Sequence, residues 1–92
     1  MSVIDEIATE RRRQIVEEGW DDEHDDQWND NQLAAAAACY AMPDGLPDEW
    51  PWTADWWKPK DRRRDLIRAA ALLVAEIERI DRASTGPTGE NR

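Results

Sequence analysis

The chain has 92 residues, 21 acidic against 12 basic side chains and a net charge of −9. That is one domain, near the lower size limit for a core without staples, and a chain of this length buries about 60–65% of its unfolded surface. The acidic balance excludes non-specific nucleic-acid binding, which draws on clustered Lys and Arg, and disfavours an anionic membrane surface. The single cysteine, Cys39, excludes an intramolecular disulfide and fits a reducing compartment. No apolar leader and no run of about 20 apolar residues is present, so a cytoplasmic protein without membrane attachment is expected.

In chain order, the first predicted helix runs from Val3 to Glu18, with Ser2 as cap and Asp5 completing a short capping box. Ile4, Ile7, Ala8, Arg11 and Ile15 recur at helical spacing and predict its packed face. Gly19 is a left-handed stop. The stretch from Gly19 to Asn31 is too polar for a regular element and reads as an ordered loop anchored by Trp20 and Trp28. Asn29 or Asp30 then caps a second helix, Asn31 to Met42, whose five consecutive alanines let another helix approach closely. Pro43 to Lys60 holds four prolines and four of the six tryptophans, and reads as a long connection packed as a unit.

Asp61 caps the last helix, which runs to Ala83. Its stripe of Leu66, Ala70, Leu73, Ile77 and Ile80, widened by Ile67 and Val74, has heptad spacing and is expected to pack on the first two helices. A dimer through the same stripe is the competing arrangement. The expected fold is therefore an all-α, three-helix domain over residues 1–83 with a tryptophan-rich connection across it, forming an oligomer. Residues 84–92, rich in Gly, Pro, Ser and Thr, read as a flexible tail.

Two stretches have the ingredients of a site. Around the only histidine, His24, lie many carboxylates; Glu18, Asp25 and Asp26 with His24 are the minority metal candidate. The calcium-loop pattern is absent, no nucleophile motif accompanies His24, and no catalytic residue or cofactor is assigned. Solvated and capping acids are the plainer reading, and salt bridges to the arginines another.

The second stretch places Lys58, Lys60, Arg62, Arg63 and Arg64 at the start of the last helix. Cations there oppose the helix dipole unless anions lie nearby. Pairing with the acidic loop, or with Asp61 and Asp65, answers this plainly. A bound phosphate or carboxylate held by arginine forks is the sharper answer. Adjoining Trp52, Trp56 and Trp57, together with Trp20 and Arg12 from earlier in the chain, complete a ligand-binding set able to stack a flat ring and hold an anion. The same tryptophans also read as the aromatic supply of a core that has no phenylalanine.

The strings ERRRQIVEEGW, EHDDQW, an alanine-rich helix ending in CYA, WPW, DWWKP and DRRRDLIRAAALLVAEIERIDRA resemble a widespread family of small phage and prophage proteins. The resemblance spans Ile7 to Ala83 and implies a phage accessory protein acting in a bacterial cytoplasm. A fainter resemblance, carried by Arg11–Arg13, Gly19–Trp20 and Asp25–Asp26, is to the ryanodine-receptor repeat, whose His-Pro stretch is replaced here by the alanine-rich helix. It implies binding of a nucleotide signal. The expectation is a non-enzymatic protein that counters host defence by sequestering a small anionic or nucleotide-like ligand. The rivals are an acidic inhibitor that docks on a basic host protein as a nucleic-acid mimic, and a metal-dependent nucleotide pyrophosphohydrolase.

Overall fold

The computed structural model describes residues 2–42, 50–53, 55 and 57–85. They form an all-α fold: α1 (Val3–Glu17), α2 (Asp22–Asp26), α3 (Gln32–Ala41) and α4 (Arg62–Thr85). α4 is the spine, and α1 and α3 pack along it, with α2 near its C-terminal half. Among the described residues no helix is long and apolar enough to cross a membrane.

The helix ends follow local chemistry. Ser2 Oγ accepts from the Asp5 amide at 3.1 Å, and the Asp5 carboxylate accepts from the Ser2 amide, closing the expected capping box. Gly19 adopts φ +78°, the left-handed turn that stops α1 and re-aims the chain. Asp61 caps α4 by accepting from the Arg64 amide at 2.8 Å. α3 begins differently from expectation: Asn31 itself stands at the N-cap with φ 68° and no side-chain cap bond. Asn tolerates that left-handed backbone better than most residues.

Other expectations need correction. The acidic segment is not all loop, because Asp21 accepts from the His24 amide at 3.0 Å and starts the short helix α2. α4 continues through Thr85, two residues into the predicted tail; residues 86–92 lie outside the described set. Most importantly, α4 does not bury its heptad stripe. Leu66, Leu73, Ile77 and Ile80 are between 41% and 58% exposed, while Ile67, Arg68, Ala69, Ala71, Leu72, Ala75 and Glu76 face inward. The reason is steric and electrostatic together. The alanines of α3 (Ala36, Ala37) seat against Ala69, Leu72 and Ala75. The charged members of the inner face find partners there.

α1 is rotated in the same sense. It buries Glu10, Arg11 and Gln14, whereas Ile4 and Val16 stand 73% and 74% exposed. Glu10 is held by Arg13 at 2.9 Å and by Arg64 of α4. Burial alone would raise the Glu10 carboxyl. The Arg13 hydrogen bond and the charges of Arg13, Arg64 and Arg68 outweigh it, and Glu10 lies below the usual glutamate value. The apolar core sits on the other side of α4, where Leu33, Cys39, Tyr40, Trp20 and Trp50 join the alanines.

Candidate functional site

The turn at Gly19 drives Trp20 inward, where it is 6% exposed. Its carbonyl accepts from Arg11 Nη1 at 3.1 Å, and Arg11 Nη2 pairs with Asp25 Oδ2 at 2.7 Å. Asp25 is fully buried on α2. Burial pushes its carboxyl up, against the pull of His24 and Arg11. The other carboxylate oxygen lies 2.9 Å from His24 Nδ1, and Trp28 Nε1 donates to His24 Nε2 at 3.3 Å. An indole N–H can only donate, so His24 Nε2 accepts and its proton resides on Nδ1, donated to Asp25. Both ring nitrogens are thereby committed. The result is one chain of contacts, Arg11–Asp25–His24–Trp28, that fixes the aromatic residues of this corner.

Against that corner the later tryptophans arrive. Trp52 contacts Trp20 (centroids 5.6 Å) and Trp28 (5.7 Å), and the series continues through Trp50 and Trp57 to Tyr40. Trp50 Nε1 donates to the Thr53 carbonyl at 2.9 Å. Trp52 Nε1 is buried without a hydrogen-bond partner among the described residues. Glu18, Trp20, His24, Trp28 and Trp52 line a half-open cleft of about 310 Å³, enough for one flat ring system.

Glu18 is the polar rim of this cleft and a junction. Its carboxylate accepts from Arg13 Nη1 at 3.1 Å and lies 3.7 Å from Lys58 Nζ. Arg13 in turn lines a second, shallower hollow of about 440 Å³ with Thr9, Glu10, Arg12, Val16, Glu17 and Arg64. Three guanidinium groups face two carboxylates there. Arg13 and Arg64 are already paired with Glu10, and Arg12 has no ionic partner among the described residues. An aromatic cleft and an arginine-lined hollow thus meet at the Arg13–Glu18 ion pair.

The predicted ligand set is divided by this geometry. Trp20 and Trp52 come together in the cleft, Lys58 reaches its rim through Glu18, and Arg12 and Arg64 share the hollow. Arg62 instead donates to the Ala41 carbonyl at the end of α3, and Arg63 forks onto Glu6 with two 2.7 Å bonds. Trp57 packs tilted against Tyr40 with centroids 4.8 Å apart, part of the clip in which Arg68 donates to the Lys58 carbonyl and Tyr40 Oη accepts from the Lys58 amide. Lys60 is exposed, with its backbone amide donating to Asp65, and Trp56 lies outside the described residues. Arg62, Arg63 and Arg64 are thus answered from within the chain, the last two by α1.

The minority metal set is dispersed. Asp25 serves Arg11 and His24, Glu18 serves Arg13 and Lys58, and Asp26 pairs with Arg82 at 2.8 Å. Among the described residues no three His, Cys, Asp or Glu side chains converge to hold a metal ion.

Sequence reasoning missed Trp28 and Arg13 as site members. The spacing of His24 and Trp28, four apart, is the local signal for the first. For Arg13 the flanking Glu10, Glu17 and Glu18 are the signal. Comparison of the chain with known protein families, characterised proteins and solved structures finds no match.

Proposed function

We propose that this chain is a non-enzymatic binding protein for a nucleotide-like ligand, taking a flat heteroaromatic ring against Trp20, Trp28 and Trp52 and an anionic group on the Arg12 side. One observation carries the reading: the aromatic cleft and the arginine-lined hollow adjoin at the Arg13–Glu18 pair. Base–aromatic stacking contributes about 1–3 kcal/mol per base, and Trp20, Trp28 and Trp52 all line the cleft that would take the ring. Binding rather than turnover is favoured because the titratable groups beside the cleft are engaged: His24 through both nitrogens, Glu18 through two cations. With the resemblance to phage proteins, the role is sequestration of a nucleotide-derived signal used in host defence.

Titration of intrinsic tryptophan fluorescence with AMP, adenosine and cyclic nucleotides tests this. Nucleotides are expected to quench, adenosine to bind more weakly than AMP, and Arg12→Ala to erase that difference without changing the fold. Recovery of intact nucleotide after incubation with Mg²⁺ or Mn²⁺ is the second expected result. Metal-dependent turnover would favour the hydrolase instead. Silence with every nucleotide would remove the proposal and leave the acidic-inhibitor reading, for which the exposed carboxylates Asp21, Asp22 and Glu23 speak.

A further inference from the structure

We infer that the outer stripe of α4 is the interface of a two-fold symmetric dimer in which two α4 helices pair antiparallel across Leu73. Leu66, Leu73 and Ile80 repeat every seven residues, with Ala70 and Ile77 interleaved, which is the a/d seam of a paired helix. Its four large members stand 41%, 47%, 58% and 46% exposed on a single helix whose inner face is already occupied by α1 and α3. Among the described residues the seam is therefore left outside. A small acidic protein keeps such a row in water only at a cost that association removes.

Two features select a second copy, and its direction. Laid antiparallel with Leu73 facing its own equivalent, Leu66 of one helix meets Ile80 of the other, because both lie seven residues from Leu73. Ala70 then falls beside Ile77, small against large, as interdigitating rows require. A seam that matches itself under a two-fold axis is the mark of an isologous contact.

Charge selects the same direction. At and just before the N-terminal end of α4 lie Lys58, Lys60, Arg62 and Arg63 against Asp61 and Asp65, with Lys58 paired to Glu18 and Arg63 to Glu6. Its C-terminal end carries Glu78, paired to Arg11, and Asp81 against Arg79 and Arg82, and lies beside α2, whose four acids include Asp22 and Asp26, both reaching Arg82. Antiparallel pairing sets basic end against acidic end, whereas parallel pairing sets like against like. The aromatic cleft, on the face formed by α2 and the tryptophans, takes no residue from this seam.

Sedimentation analysis of the full chain tests the proposal, with circular dichroism as the control for folding. The expected species is twice the chain mass. Leu73→Glu, which sets two carboxylates face to face at the axis, halves that mass while the helical spectrum is kept. Should Leu73→Glu unfold the chain, the milder Ile77→Ser serves the same reading. Direction is read by oxidative cross-linking: a Leu66→Cys chain mixed with an Ile80→Cys chain gives a mixed disulfide dimer, and Leu66→Cys alone gives none. A wild-type chain that stays monomeric up to millimolar concentration overturns the inference. So does a dimer that survives Leu73→Glu, or a Leu66→Cys chain that cross-links to itself.

Discussion

The seam between α1, α2 and α4 and the outer stripe of α4 invert the usual arrangement of side chains. The seam buries Glu10, Arg11, Gln14 and Asp25, while the stripe leaves Leu66, Leu73, Ile77 and Ile80 in solvent. The difference teaches that burial here follows partners rather than hydropathy. Each charge in the seam has a named counter-charge: Arg11 with Asp25, and Glu10 with Arg13 and Arg64. The stripe finds no such cover among the described residues, and the proposed dimer would supply it.

Removing one charge from the seam has the largest expected effect. Asp25→Ala leaves Arg11, only 6% exposed, with the half-exposed Glu78 at 3.4 Å as its remaining counter-ion, and His24 without its acceptor. A loss of about 3–5 kcal/mol is expected in urea unfolding. Exchanging Arg11 and Asp25 together for apolar residues of similar volume is expected to cost much less. Equal losses for the single and the paired change would mean that packing, not charge, fills the seam.

Adjacent leucines sharpen the contrast. Leu72 is fully buried, and Leu72→Ala is expected to lose about 2–5 kcal/mol. Leu73 is 47% exposed, and Leu73→Ala is expected to change monomer stability by no more than about 0.5 kcal/mol. Its effect falls on association, visible as a melting temperature that no longer rises with protein concentration.

A smaller effect is expected at the turn linking the seam to the cleft. Nothing lies within 4 Å of a Cβ built on Gly19, so Gly19→Ala meets only its φ of +78°. The cost is about 1–2 kcal/mol.

The dependence on pH follows from the same pairs. Glu6, through its hydrogen bonds to Arg63, and Glu10, through Arg13, sit below the ordinary value of 4.5. Their contribution is complete above that value and is lost as pH falls through their lowered folded values. Asp25 has the opposite sign. Its raised carboxyl favours the protonated form, so acidification relieves its burial. Thermal melts from neutral pH downward should therefore hold level and then decline below about 4.5, and Glu10→Gln should flatten that decline.

How legible this was in the sequence differs by region. The all-α class and the caps at Ser2, Gly19 and Asp61 were readable because each depends on neighbours within a turn. α2 was missed because five residues are too few to display a period. The heptad of α4 was readable as a stripe, but a stripe states that something covers it, not what. The seam was invisible because Arg11 and Asp25 lie 14 residues apart, and Glu10 and Arg64 lie 54 apart. Likewise the cleft joins Trp20 and Trp28 to Trp52 across the whole of α3. Composition marked the tryptophans, and only the fold separates Trp20, Trp28 and Trp52 from Trp50 and Trp57, which build the core's edge.

The proposed function requires that Trp20, Trp28 and Trp52 receive a flat anionic ligand. The most direct measurement follows the indole N–H signals in a two-dimensional ¹⁵N–¹H spectrum as AMP is added. The indole signals of the cleft-lining Trp20, Trp28 and Trp52 are expected to move, with Trp50, bonded to Thr53, holding still. Indole signals that stay fixed, or that move only for Trp50 and Trp57, would contradict it.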